Sequence, residues 1–259
     1  MSDRQAGFSR FIRMRKSCVA YNLKYTIRKS VVLYKIITYA TEQEFTRQHM
    51  TNPWKEIRLA DYENHMTWHS VMQAQIMNTM MKEQFYQYPV KTIMILGIAG
   101  GNGLEHINPD IIEKVFGVDI NREYLDECAK RYSQLNGSLS LLQVDLMDDS
   151  IVLPIADLVV ANLLIEYVGY TCFQKVINQV QPTYVSCAVQ INADTSFVSD
   201  SPYSNALDNL DSVHHQMSQD KLVEALDSIG YHLILENDVL LPNDKRLLRL
   251  DFKRNASKQ

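Results

Sequence analysis

The sequence predicts an α/β fold, a doubly wound and mostly parallel sheet of seven strands closed by a C-terminal antiparallel hairpin. Three observations predict it. From Lys91 onward, short apolar runs of strand length alternate with segments of helical length, the pattern that builds a parallel sheet with helices on both faces. The first such run, Thr92-Ile-Met-Ile-Leu96, passes directly into the cluster Gly97, Gly100, Gly101 and Gly103, as a strand does when it hands over to a ligand-cradling loop. Near the end of the chain, Gly230 closes a last helix, and two strand-like runs follow, joined by Pro242-Asn243-Asp244, which reads as a hairpin.

Residues 1–49 carry ten Lys/Arg against three acids, a net of +7 in a chain whose sum is -4, which leaves -11 for the remainder. Such a basic extension suits a nucleic-acid or membrane-surface arm or a transit peptide, and equally an upstream addition with Met50 as the native start. No functional expectation rests on it. Residues 50–90 read as a helical lid. Asp61 or Thr67 could cap a helix running to about Gln84, with Met72, Ile76 and Met80 on one face and polar Gln73, Gln75 and Asn78 elsewhere. His65 and His69 stand one helical turn apart, but the Glu that follows the first His in helical zinc sites is missing, and no metal is expected.

The 91–254 segment supplies the sheet. Lys91–Leu96 is the first strand, and the dozen or so residues after the glycines leave room only for a short or broken crossover helix, with Asn108-Pro109-Asp110 starting a new turn. Val115-Phe-Gly-Val-Asp119-Ile120 is the second strand, Asn121–Tyr132 a helix, Leu141-Leu-Gln-Val-Asp145-Leu146 the third strand and Ala156–Asn162 the fourth. Tyr167–Val180 is the following helix and Thr183–Ile191 a fifth strand. The long stretch from Asn192 to Ser218, with a short helix over Asn205–Val213, is expected to shape a pocket, while His214 and His215 read as exposed residues at a helix end. Gln219–Ile229 is the last helix before the hairpin strands Tyr231–Leu241 and Arg246–Phe252.

The glycine spacing narrows the ligand. No frame gives the Gly-x-Gly-x-x-Gly of a dinucleotide loop, and no Lys-Ser/Thr follows the glycines as in a phosphate loop. Ala99-Gly100-Gly101-Asn102-Gly103 fits Gly-x-Gly-x-Gly with one substitution, Ala99 standing at the first glycine. With Asp119 ending the second strand, Asp145 the third and Asn162 the fourth, four motifs fall in order, and the chain from about Trp54 to Arg254 resembles the class I S-adenosylmethionine-dependent methyltransferases, in their small-molecule branch.

The resemblance implies S-adenosyl-L-methionine as cofactor, with strand seven inserted between strands five and six. It places Gly97, Ile98, Ala99, Gly101, Asn102 and Gly103 in the cofactor loop, Asp119 and Ile120 at the ribose, Asp145 and Leu146 at the adenine, and Asn162 near the methyl group. The family's strand-one acid is replaced by Gly97, so Asn102 or the Asn162 carbonyl is expected to substitute, and Ala99 is tolerated if its φ is negative. Methyl transfer chiefly needs alignment and exclusion of water. A base is needed only for an acceptor protonated at neutral pH, and Glu166, Tyr167 and His65 are the catalytic candidates, with Tyr62 and Tyr170 beside them. Asn162-Leu-Leu-Ile departs from the Asn/Asp-Pro-Pro-Tyr motif of enzymes that methylate amide or exocyclic nitrogens, so a small-molecule acceptor is expected, and nucleic acid only if the basic arm is genuine.

A non-catalytic cofactor-binding module is the alternative. An NAD- or nucleotide-sugar-dependent enzyme is a third reading, disfavoured by the glycine spacing. The four cysteines form no Cys-x-x-Cys pair and no run of eighteen apolar residues occurs. Neither disulfides nor a membrane partner is expected, and a reducing, cytoplasmic setting is.

Overall fold

The computed structural model describes residues 52–192 and 197–256; the basic extension lies outside the described residues. Seven strands form one sheet: β1 (Thr92–Leu96), β2 (Lys114–Asp119), β3 (Leu139–Gln143), β4 (Leu158–Asn162), β5 (Tyr184–Ile191), β6 (Tyr231–Leu240) and β7 (Arg246–Arg254). Their order is β3-β2-β1-β4-β5-β7-β6. The pairs from β3 to β5 are parallel, and β7 runs antiparallel to both neighbours. β1 and β4 are buried along almost their whole length, because helices cover both faces of a parallel sheet and leave no position for a solvent-facing side chain. Among the described residues, five helices complete the fold: α1 (Leu59–Thr67), α2 (Gln73–Tyr86), α3 (Arg122–Arg131), α4 (Ile165–Val180) and α5 (Gln219–Ser228). A short 3₁₀ turn, Leu104–His106, stands where a full crossover helix would be, and a longer one spans Ser204–Ser212.

Four local readings are corrected. The lid contains two helices where one was expected, because Met72 takes a left-handed φ of 51° and the chain turns between them around the fully buried Val71. The inward face of α2 then carries Gln73, Met77, Met80, Met81 and Gln84 in place of the face expected through Met72 and Ile76. Gln73 is therefore buried and bonded to Gln190. The third strand stops at Gln143, so Asp145 lies in the turn beyond it. Helix α4 begins at Ile165 and is interrupted at Gly169, whose φ/ψ of 75°/166° is not helical. Its first turn, bearing Glu166 and Tyr167, is thereby set apart from the rest.

A buried polar network ties the lid to the antiparallel strands. Asp251, fully buried, accepts hydrogen bonds from Ser186, from Arg249 Nε at 3.0 Å and Nη2 at 2.6 Å, and from Tyr88 at 2.9 Å. Gln84 continues it by donating to Ser186 at 2.9 Å. A buried ion pair is tolerable only when its remaining hydrogen-bond capacity is filled. Tyr88 fills part of that capacity from the rim and stacks on Tyr184 at 4.2 Å. Tyr88→Phe keeps the stacking and loses the hydrogen bond, and is expected to cost about 1 kcal/mol, read as a lower urea midpoint with an unchanged m-value.

Candidate functional site

The glycine loop leaves β1 in a tight turn: the Gly97 and Ile98 N–H groups bond the Val118 carbonyl at 2.8 and 3.1 Å, and Gly97, Gly101 and Gly103 have φ of 71°, 90° and 89°. Gly101 is obligatory on space as well, since a Cβ there would lie 2.6 Å from the Tyr132 ring and 2.8 Å from Cys128 Sγ. The pattern would place a glycine at position 99 as well, and Ala99 takes a φ of 47°, not the negative value expected of it. What holds it there is Asp119: Oδ2 accepts the Ala99 N–H at 2.9 Å and Oδ1 the Asn121 N–H at 2.9 Å. Left-handed backbone costs an L-residue about 1–2 kcal/mol, part of which glycine forfeits in unfolded-chain entropy. Ala99→Gly is therefore expected to stabilise by roughly 0.5 kcal/mol, measured by urea unfolding.

Asp119 sits at the edge of a cleft over the carboxyl ends of β1, β2 and β4, the position where open α/β sheets bind ligands. Gly97, Ala99, Asp119, Ile120, Asp145, Leu146, Asn162 and Tyr167, all expected from the sequence, line it. Burial raises the Asp119 pKa, opposed by the N–H groups of Asn121, Ala99 and Ile120. The roof is the segment from Asn52 to Ile57. Asn121 caps α3 by accepting from the Glu123 N–H at 3.0 Å and donates its own amide to the Trp54 carbonyl at 2.9 Å. Tyr124 donates to the Ile57 carbonyl at 2.8 Å, and Lys55 lies 3.6 Å from Asp145.

The other loop residues lie elsewhere. Ile98 and Asn102 line a second cleft beneath α1 and α2, which shares Tyr62, Gly97, Ala99 and Asn162 with the first. Gly101 backs onto α3, and a Cβ on Gly103 would be 3.0 Å from Met81. Asn102, expected as a substitute for the missing acid, is instead engaged with the lid: it donates to the Ala74 carbonyl at 3.0 Å and accepts from Asn78 at 2.9 Å. Asn162 exchanges two amide hydrogen bonds of 2.9 and 2.8 Å with Gln84. At Gly97, where the acid would stand, the Leu164 side chain fills the space, 3.1 Å from where a Cβ would be. Over the loop, Arg131 of α3 clasps Glu63 of α1 through two hydrogen bonds of 2.5 and 3.0 Å.

A third, smaller chamber adjoins the first cleft through a neck of Trp54, Tyr62, Leu163 and Tyr167, which line both. Trp54 meets the other two aromatic rings edge-on, at 5.6 Å for Tyr62 and 4.9 Å for Tyr167. Glu166 and His65 are in this chamber. Glu166 is 3% exposed; Oε1 accepts the Gln190 N–H at 3.2 Å, and Oε2 is buried with no hydrogen-bond partner among the described residues. Burial pushes its pKa up to about 7. Burial, with Lys245 adding to it, lowers the pKa of His65, whose Nδ1 lies 2.8 Å from Ser201 Oγ. Burial raises the phenols of Tyr62 and Tyr167, so both are neutral hydroxyls at physiological pH.

Two readings change here. His214, expected to be exposed, lies flat on Phe197 at 3.8 Å and lines the chamber. Tyr170, considered as a base, instead accepts the Ser218 N–H at 2.9 Å. Sequence reasoning missed Trp54, Asn121, Tyr124 and Leu164. Asn121 alone carried a signal, as an N-cap two residues after the strand acid.

No family model and no curated protein matches the sequence. Solved structures do. The N-methyltransferase NodS from Bradyrhizobium japonicum, in complex with S-adenosylhomocysteine, superposes with a TM-score of 0.57 at 11% identity over 80% of this chain and 100% of its own. The [4+2]-cyclase SpnF gives 0.55 at 10% identity over 72% and 84%. Magnesium protoporphyrin IX methyltransferase from Synechocystis, with S-adenosylhomocysteine bound, gives 0.50 at 8% identity over 71% and 83%. With the strand order and the final antiparallel hairpin, these likenesses define the fold as that of the class I S-adenosylmethionine-dependent methyltransferases.

Proposed function

We propose that this protein binds S-adenosylmethionine in the Asp119 cleft and transfers its methyl group to a small molecule held in the adjoining chamber. The observation that carries this reading is the junction itself: a strand-end carboxylate that latches the glycine loop, and next to it a neck of three aromatic rings opening onto a chamber with an acid one of whose oxygens has no partner among the described residues. The residues fit the cofactor. Asp119 keeps lone pairs on both oxygens for ribose hydroxyls, Ile120, Leu146 and Val168 offer apolar surface for a flat base, and the glycine loop lets a ligand approach the backbone.

When bound, the cofactor supplies an electrophilic methyl group on a sulfonium. The chain's own residues do the rest. Trp54, Tyr62 and Tyr167 exclude water from the neck and hold the acceptor in line, and Glu166 takes a proton where the acceptor carries one. Three buried free cysteines, Cys128, Cys172 and Cys187, accord with the reducing cytoplasm, and no described helix is long and apolar enough to cross a membrane.

Leu164 against Gly97 favours a second reading, in which the cofactor is held without methyl transfer; the cyclase neighbour shows that the fold is compatible with other chemistry. Thermal unfolding with S-adenosylmethionine, S-adenosylhomocysteine or NAD tests the first step. A native-state ligand at a hundredfold its Kd stabilises by about 2.7 kcal/mol, so the two sulfur compounds should raise Tm and NAD should not. Binding without transfer of labelled methyl to any acceptor in a small-molecule screen would favour the second reading.

A further inference from the structure

We propose that the acceptor is a small amine, which enters the chamber as an ammonium ion and gives its proton to Glu166. This rests on the cofactor reading above. Glu166 Oε2 is buried in the chamber without a partner, and leaving a buried acceptor unsatisfied is costly unless a ligand completes it. No cation among the described residues is paired with Glu166. What moves its titration is burial, opposed by its own N–H and that of Gln190. A carboxylate in that position is best matched by a ligand that brings both a positive charge and N–H donors.

The walls favour the same ligand. Trp54 and Tyr167 present ring surfaces at the neck, and Phe197 and His214 stack deeper in, an arrangement that attracts ammonium groups. A phenol brings no positive charge to match the buried carboxylate and would leave a phenolate in its place once the proton passed to Glu166, and an aliphatic alcohol is far too weak an acid for a carboxylate to deprotonate. The other titratable groups around the acid are Tyr62 and His65 on α1, Tyr167 beside it on α4, Cys187 on β5, and His214 and His215 after the 3₁₀ segment, with Lys245 of the β6–β7 turn acting on His65 and His214. The step balances as a proton transfer. The ammonium N–H bond breaks, its electron pair stays on nitrogen as the nucleophile's lone pair, and the proton forms an O–H bond at Glu166 Oε2.

The test follows the Glu166 carboxyl carbon by carbon-13 NMR in protein saturated with S-adenosylhomocysteine, titrating pH with methylammonium chloride, sodium chloride or methanol present. Glu166→Gln assigns the signal. Methylammonium should lower the midpoint by about one pH unit or more, a tenfold coupling, while sodium chloride and methanol leave it in place. Methylammonium should also lose its binding in Glu166→Gln, whose S-adenosylhomocysteine affinity by calorimetry stays as in the wild type. A midpoint that methylammonium does not move, in protein that binds S-adenosylhomocysteine, overturns the amine proposal and leaves the cofactor reading standing. Failure of the wild type to bind S-adenosylhomocysteine overturns both.

Discussion

Glu166→Gln lowers methyl transfer by about 10²–10⁴-fold, the range for loss of a positioned acid or base, while the folded protein becomes no less stable at neutral pH. The two effects separate because the acid's burial is a cost to the fold. Its pKa is raised to about 7 from an ordinary 4.5, so between those values the native state holds a proton that the unfolded chain has released. By linkage, stability falls as pH rises through that window, by about 3 kcal/mol for a shift of this size. Asp119, also raised, contributes in the same direction. The Gln variant lacks the Glu166 part of this fall. Its Tm should exceed that of the wild type at pH 8 by more than at pH 5, measured by calorimetry at both. A wild-type Tm that rises through the window, or a variant with full activity, would sink the assignment.

Asp119→Ala has the other large effect, on cofactor affinity and on the loop together. Hydrogen bonds to a charged group contribute about 1.5–3 kcal/mol each, so loss of the ribose contacts proposed for Asp119 should raise the S-adenosylhomocysteine Kd by about a hundredfold or more. The same carboxylate receives the Ala99 and Asn121 N–H groups. Leaving such donors unsatisfied costs about 1–3 kcal/mol each, partly offset because a desolvated charge is also removed. The expected result is a lower urea midpoint in the absence of ligand and a Tm that no longer responds to S-adenosylhomocysteine. Asp119→Asn, which retains one acceptor oxygen, should recover part of the stability and little of the affinity. An unchanged Kd in either variant would mean that Asp119 serves the loop alone.

The order of elements was legible in the sequence because a buried parallel strand must be an apolar run and a loop that turns repeatedly on positive φ favours glycine. β1, β4, β5 and the Gly230 stop follow from those two constraints, and the hairpin from the Pro242-Asn243-Asp244 turn between two strand-like runs. The break at Met72 was not legible, since methionine is an ordinary helix former and its left-handed conformation answers to the packing of Val71. Nor was the inward turn of Gln73 and Gln84, whose polarity marks a solvent face until a partner such as Gln190 or Asn162 is brought beside it. The strain at Ala99 was hidden for a related reason: the hydrogen bond that fixes its φ comes from Asp119, twenty positions away.

The sequence by itself determined the fold class, the glycine loop and the strand-end residues Asp119 and Asn162, because each is specified by local rules of spacing, backbone freedom and strand length. The tertiary structure alone decided that Leu164 occupies the place of the missing acid, that Asn102 serves the lid, and that Glu166, His65 and His214 share one chamber. Those residues come from elements far apart in the chain, and both the burial that shifts the titration of Glu166 and His65 and the absence of a partner for Glu166 Oε2 among the described residues arise only when the elements pack.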